Sequence, residues 1–305
     1  MKMNMTDNLL ARFKECNLAE HFLKVGSPNL YIGRDDEGYH CFEFRGQFHP
    51  VKLIGSKPLA VKQYEKSGTY TLRFSLTQSE LIGCFCAFCD DMITSAAALK
   101  DDDEVYKCLA DRFKSWKKLF KIDRSKLTEP EIMGLIGELL FLKEKGALKW
   151  GMDLALDSWM GPENTRKDFS LENMWVEVKA INSGKETVRI SSIEQLDGAY
   201  PGWLYVFFME KMSPVYDGIK ISQLIQTILN TLSVHQKDVF LNKLSSFGYD
   251  FSPEYDNLVF RNTDEKCFSI LDDFPRLRRD SLPIAIAKAQ YDLILSEIEQ
   301  YQTEF

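Results

Sequence analysis

The chain has 305 residues, 45% hydrophobic and 27% charged, with a net charge of −7. Its 21 Phe, 12 Tyr and 5 Trp supply burial that disordered chains lack, and the length suffices for one large core or two smaller ones. No apolar run approaches the roughly 18–20 residues that span a bilayer, the start lacks the apolar core and cleavage site of a signal peptide, and the acidic balance argues against a non-specific nucleic-acid coat. The expectation is a soluble cytoplasmic protein with no membrane contact.

Residues 30–75 carry β signals, with a strand and turn over 31–38 and a returning strand over 39–44. Residues 59–64 and 69–74 flank Lys66-Ser-Gly68, a second hairpin signal. Residues 78–99 turn helical and hold Cys84, Cys86 and Cys89. No fourth ligand or histidine follows at finger spacing, so packed thiols are the main reading and a three-cysteine metal site the lesser one. An acidic run at 101–104 marks a boundary near residue 100, which gives an N-terminal β-rich module over 1–100 and a second domain over 101–305.

A helix is expected over 104–120, and a basic stretch starts within it: Lys107, Arg112, Lys114, Lys117, Lys118, Lys121, Arg124 and Lys126. It reads either as a solvated helix face or as a phosphate-tracking surface. In the next helix, Thr128-Glu-Pro-Glu131 supplies an N-cap, an early proline and a capping-box glutamate, with Gly146 as the stop. Within it, Glu138 has Gly134, Leu135, Phe141 and Leu142 as helical neighbours, which puts a carboxylate in an apolar stripe. Glutamates are rarely buried unless paired or on a metal. The alternative is a helix rotated so that Glu138 reaches water, but Lys143 and Glu144 already offer a polar side.

Strand signals follow at 166–170, 174–181 and 187–190, and residues 203–209 are nearly all apolar, as in a strand buried on both faces. Helices are expected over 219–232 and 236–247, β pieces at 258–260 and 267–270, and a last helix over 284–301. The second half is mixed α/β with an antiparallel hairpin at its centre.

That hairpin carries the chemistry. If it closes at Glu172-Asn173, facing residues have numbers summing to 345, and Asp168 stands opposite Glu177. Alternation puts Lys179 on the face of Glu177, with Arg166 opposite it, while Phe169, Val176, Val178 and Ala180 form an apolar face. Two opposed carboxylates repel, so removing Asp168 should relieve a few tenths to about 1 kcal/mol. A divalent cation between them removes the repulsion: Mg²⁺ takes one or two carboxylates, keeps several waters and binds phosphate oxygens. Lys179 can then contact the scissile phosphate or the attacking water, which suits phosphodiester hydrolysis. The competing reading is a surface hairpin with solvated charges.

Further stretches complete the pattern: Ile32-Gly-Arg-Asp35, Gly134-Leu-Ile-Gly-Glu-Leu-Leu-Phe-Leu142, Trp159-Met-Gly-Pro162, Lys167-Asp-Phe169, Glu177-Val-Lys-Ala180, Ser191-Ser-Ile-Glu-Gln-Leu196 and Asp273-Phe-Pro-Arg-Leu277. In this order, over most of its length, the chain resembles the PD-(D/E)XK phosphodiesterase superfamily, which holds many restriction endonucleases and recombination nucleases. Within it, the chain is similar to the bacterial "PD-(D/E)XK motif" proteins. The resemblance implies an α/β (α+β) restriction-endonuclease-like fold, a mixed central sheet flanked by helices, behind the N-terminal β-rich module.

The resemblance also implies roles. Glu138 is the helix acid, Asp168 the motif aspartate, and Glu177 with Lys179 the E-x-K pair. Asp168, Glu177 and Glu138 are the metal ligands, for Mg²⁺ with Mn²⁺ as a substitute. Lys167 stands where the motif's name has proline, a position that varies across the superfamily. Gln195 either closes a capping box from Ser192 or, as glutamine motifs in related nucleases suggest, bonds phosphate or water beside the metal. Ser191 and Ser192 either touch phosphate or cap the helix. The Pro275-Arg-Leu-Arg-Arg279 stretch reads first as a structural turn and second as a DNA contact. Candidate DNA contacts are Lys114, Lys117, Lys118 and Lys121 together with the two serines.

The implied activity is metal-dependent DNA endonuclease cleavage in restriction or phage defence, since such relatives tend to be found beside methyltransferases and ATPases. A repair or recombination nuclease, and a non-catalytic DNA-binding or assembly subunit that kept the fold, stay open. Cutting both strands would favour a homodimer.

Overall fold

The computed structural model describes residues 5–16, 21–27, 29–120, 126–161 and 167–305. Two units emerge: Met1–Ser125 with Gly248–Pro253, and Lys126–Phe247 with Glu254–Phe305.

The first unit is built on a five-stranded antiparallel sheet in the order β1-β2-β3-β5-β4, from β1 (Phe22–Gly26), β2 (Leu30–Arg34), β3 (His40–Gly46), β4 (Leu59–Lys66) and β5 (Thr69–Leu76). The β4–β5 hairpin closes at Ser67 and Gly68, both with positive φ (54° and 75°), as a right-twisted two-residue turn requires. Helices α1 (Met5–Glu15), α2 (Ile82–Ala96) and α3 (Asp102–Trp116) complete the unit. Their core is aromatic: Phe88 of α2 meets Phe74 of β5 edge-on at 5.3 Å, and Phe113 of α3 lies 5.0 Å from Phe74. Cys84, Cys86 and Cys89 are buried thiols in α2, and burial pushes Cys84 and Cys89 far up in pKa.

The expected boundary near residue 100 falls inside this unit. The acidic run opens α3: Asp101 accepts the Glu104 N–H, and the acids that follow favour the helix N-terminus. Asp102 and Asp103 also accept the backbone N–H groups of Gln47 and His49 at 2.7 Å each, so they tie α3 to the sheet. Arg112 leaves the expected basic surface. It is buried and paired with Asp91 at 2.6 Å, and Trp116 Nε1 donates to the same carboxylate.

In the second unit, α4 (Glu129–Phe141) starts at Thr128, whose backbone N–H is received by Glu131 at 2.7 Å. Gly146 is not its stop. The chain continues through a π-helical turn (Leu142–Gly146) into α5 (Ala147–Trp150), and Gly146 has a helical φ of −59°. The stop is Gly151, with φ +81°, before α6 (Met152–Ser158).

A mixed sheet follows in the order β10-β9-β7-β6, from β6 (Phe169–Ser170), β7 (Trp175–Asn182), β9 (Gly202–Met212) and β10 (Val259–Ile270). β7 and β9 are parallel, and both outer pairs are antiparallel. The two late β pieces are thus one strand, β10, kinked where its register slips between Asn262 and Asp264. Between β7 and β9 lies β8 (Thr187–Ile190), which pairs with β11 (Tyr291–Ile294). β11 and a 3₁₀ segment (Leu295–Tyr301) replace the expected C-terminal helix.

One face of the mixed sheet receives α4. The other is covered by β8, β11 and their turns, in a core with Val188, Leu196, Leu204, Val206 and Leu293. Helices α7 (Ile221–Leu229) and α8 (Val234–Phe247) complete the unit. This is the restriction-endonuclease-like α/β fold the sequence led us to expect. Among the described residues no helix is long and apolar enough to cross a membrane.

Candidate active site

The β6–β7 hairpin has the expected register. Phe169 pairs with Val176 and Ser170 with Trp175, and Leu171 N–H donates to Met174 O at 2.9 Å around Glu172-Asn173. Asp168 lies just before this two-residue strand. Its Oδ2 accepts the Val178 N–H at 2.8 Å, so a side chain, not a backbone carbonyl, receives this N–H of β7. Arg166 and Pro162 lie outside the described residues. β7 is an interior strand, and its charges are not solvated: the side chain of Glu177 is 1% exposed and that of Lys179 17%.

α4 brings the third carboxylate. A Cβ on Gly137 would lie 3.0 Å from Ala180 Cβ and 3.7 Å from Val178 and Phe207, so glycine lets the helix press onto β7 and β9. The next residue, Glu138, is buried, and Trp159 Nε1 donates to its Oε2 at 2.7 Å. Gly161 packs against the same carboxylate, where a side chain would collide. The sequence pattern singled out the Trp159–Gly161 stretch, but not its job of holding Glu138.

These groups sense one another. Burial first, then the charge of Asp168, pushes Glu138 well above the usual carboxylate range. Burial also raises Asp168, against the opposing pull of Lys179 and the Val178 N–H. Glu177 is pushed up to about 8, by burial and then by Asp168. For Lys179 burial works against the charge, but Glu177 and Asp168 outweigh it and raise its pKa, so it stays an ammonium. Lys179 Nζ lies 2.8 Å from Glu177 Oε1 as an ion pair, yet neither Glu177 oxygen has a well-directed hydrogen bond.

A buried carboxylate with one oxygen matched only by an ion pair and the other without a partner is a costly arrangement in a chain built only for stability. The donors are hard oxygens, which fit a small divalent cation held through one or two carboxylates and water. The full three-carboxylate ligand set is not assembled: among the described residues no group of three or more His, Cys, Asp or Glu is arranged to hold a metal ion. One oxygen of Glu138 is already engaged by Trp159. The same holds for a three-cysteine site in α2.

Gln195 belongs to a 3₁₀ turn (Ile193–Gln195), not to a longer helix, and Ser192 makes no side-chain cap bond. The expected capping box is replaced by a bond from Ser191 N–H to Gln195 Oε1 at 2.7 Å. Lys167, the residue in the proline position, holds this turn. Its Nζ donates to the carbonyls of Glu194, Gln195 and Asp197 at 2.7–2.9 Å and lies 3.5 Å from the Trp175 ring centroid. Burial lowers its pKa to about 8. Arg279 pairs with Glu194 at 3.0 Å, and its N–H donates to Asp197, which is the structural role expected for that stretch.

The lysine candidates lie in the first unit. Lys114 pairs with Asp111 at 2.7 Å, Lys117 donates to Ile54 O at 2.7 Å, and Lys118 is exposed. Lys121 and Arg124 lie outside the described residues.

Residues 21–296 match the DUF4420 family model, described as "Putative PD-(D/E)XK family member". The chain belongs to the DUF4420 family. The match takes in both units and every carboxylate of the cluster, so it supports the PD-(D/E)XK superfamily assignment of this DUF4420 chain as a whole. No curated protein and no solved structure matches the chain.

Proposed function

We propose that this chain is a metal-dependent nuclease that hydrolyses phosphodiester bonds in DNA and acts in restriction or phage defence. One observation carries the reading: the buried carboxylate of Glu177 beside Asp168, paired with the Lys179 ammonium at 2.8 Å and with no partner on its other oxygen. Asp168 and Glu177 would hold Mg²⁺ or Mn²⁺. When bound, the ion would polarise a phosphoryl oxygen and lower the pKa of a water.

The chain's own residues do the rest. Lys179, kept charged by Glu177 and Asp168, donates to a phosphate oxygen as negative charge grows there. Glu138, held by Trp159 and pushed above the usual carboxylate range by burial, would supply a proton to the departing oxygen or to a water beside it. Lys167 fixes the turn that carries Gln195, whose amide N–H groups would donate to a phosphate oxygen or to a water beside the metal. Lys114, Lys117 and Lys118 would meet DNA phosphates. Proposed partners are the methyltransferases or ATPases of a defence system, with a homodimer for double-strand cleavage.

The test is purified protein on plasmid and phage DNA with Mg²⁺, Mn²⁺ or EDTA, beside Asp168→Asn. Metal-dependent nicking that the variant lacks is the expected result. DNA binding without cleavage under every metal would instead favour a non-catalytic subunit, and cleavage by Asp168→Asn at the wild-type rate would sink the site assignment.

A further inference from the structure

The sheet of the first unit has a second face, and its chemistry differs from that of the core. Register places Phe42 and Phe44 of β3 and Leu72 and Phe74 of β5 on the buried side. Alternation then turns Glu43, Arg45, Thr71 and Arg73 to the other side, with Lys62, Tyr64 and Lys66 of β4 beside them. This face bounds a cavity of about 720 Å³. Four cations line it, Arg45, Lys62, Lys66 and Arg73; Arg73 pairs with Asp36 at 2.9 Å and Lys62 with Glu37 at 2.8 Å.

The two arginines are preset. Glu43 lies beneath them with no exposed surface, taking Nε (2.8 Å) and Nη2 (2.5 Å) of Arg45 on one oxygen and Nε of Arg73 (2.5 Å) on the other. The Arg45 guanidinium is sandwiched between the rings of Phe22 and Tyr31, 4.6 and 4.5 Å from their centroids. Arg73 lies 5.2 Å from the Tyr64 ring centroid and donates to its hydroxyl. The planes are fixed before any ligand arrives, so little rotamer freedom remains to be lost on binding. Among the described residues Nη1 of Arg45 has no acceptor and Lys66 has no acidic partner. The hydroxyls of Ser67 and Thr69 stand beside Lys66 at the rim.

We propose that this face is a binding site for a nucleoside phosphate, free or at the end of a nucleic-acid strand. Arg45 Nη1 and the Lys66 ammonium take phosphate oxygens, with the hydroxyls of Ser67 and Thr69 beside them. The Tyr64 ring, which lines the cavity, offers a flat surface for a base. The cavity is within the roughly 300–1,000 Å³ range of small-ligand sites. The proposal does not depend on the nuclease reading, because the site lies wholly within the first unit.

The experiment uses the full chain with Asp168→Asn, in EDTA, so that turnover plays no part. Calorimetric titrations with ATP, adenosine and inorganic phosphate run beside anisotropy with a fluorescein-labelled dT oligonucleotide. Micromolar binding of ATP or of the oligonucleotide is expected, with adenosine and phosphate alone about tenfold weaker or worse. ATP alone would assign the free nucleotide, and the oligonucleotide alone the strand end. Lys66→Gln, an exposed change that leaves the Glu43 pairings untouched, and Arg45→Gln should each weaken binding about fivefold or more while the melting temperature of Lys66→Gln stays put. The proposal falls if nothing binds more tightly than millimolar, or if binding survives both substitutions unchanged.

Discussion

Glu177 is a protonation site as well as a ligand candidate. Its folded pKa of about 8 lies above the ordinary 4.5, so between those values the folded protein holds a proton that the unfolded chain releases. The stability this gives is complete below about pH 4.5 and is lost as pH rises to about 8, at up to about 1.4 kcal/mol per pH unit. Thermal melts in EDTA should therefore show the wild type losing stability across that window, and Glu177→Gln losing much less. Parallel slopes would show that Glu177 is ionised throughout. Mn²⁺ should work in the opposite sense, binding more tightly as pH rises towards about 8, because a protonated carboxyl is no ligand. Asp168 is a different case. Opposed carboxylates alone make Asp168→Ala stabilising by up to about 1 kcal/mol, but the bond from the Val178 N–H reverses the sign. Stranding that N–H costs about 1–3 kcal/mol, so Asp168→Ala should lower stability in urea titrations, while Asp168→Asn, which still offers an oxygen, should lower it less. Both should abolish cleavage.

At the scale of elements, α4 and β7 meet through Gly137, and their closeness is what presents Glu138. Gly137→Val adds atoms where even a Cβ would lie 3.0 Å from Ala180. It should destabilise by about 1–3 kcal/mol in chemical melts and depress cleavage further than that loss explains, since Glu138 moves with its helix. An unchanged cleavage rate in a folded Gly137→Val protein would argue against Glu138 as a working group. The hairpin was legible because Glu172-Asn173 and strict alternation determine a register without tertiary help, and the apolar run of β9 because a doubly buried strand needs nothing else. The C-terminal segment was not. Its residues are good helix formers, yet pairing of Tyr291 with Ile190 makes a strand there. Leu295, Ile298 and Tyr301 then recur every third residue, which suits a 3₁₀ turn better than an α-helix. Gly146 misled for the converse reason: helix continued past it, and only the left-handed Gly151 shows where it ends. Nor does any sequence signal show Lys167 gathering three carbonyls, since its partners lie about thirty residues away and form only in the fold.

For the molecule as a whole, the extent of the two units has no plain signal in the sequence. An acidic run reads as a linker until its backbone partners at Gln47 and His49 are known. The return of Gly248–Pro253 to the first unit has no local signature at all. Phe251 shows how firmly that segment is held. It is buried, lies 5.3 Å from the ring of Trp116 and 4.8 Å from that of Tyr249, and keeps a φ of 56° that side chains rarely adopt. Phe251→Ala should cost about 3–5 kcal/mol. Calorimetry should show that loss in the unfolding of the first unit, although the mutation lies far along the chain from the rest of it. A loss confined to the second unit would contradict this division.

This re-entry also orders events during synthesis. A ribosome releases residue 125 long before residue 253, and at roughly 5–20 residues per second the interval is on the order of ten seconds. Throughout it the first unit lacks a wall, and the indole of Trp116 waits for a ring that has not yet been made. The N-terminal unit starts first, yet it cannot finish until the chain has passed most of the way through its neighbour. That interval is when a chaperone, or a second nascent copy supplying its own Phe251 segment, would find the chain open.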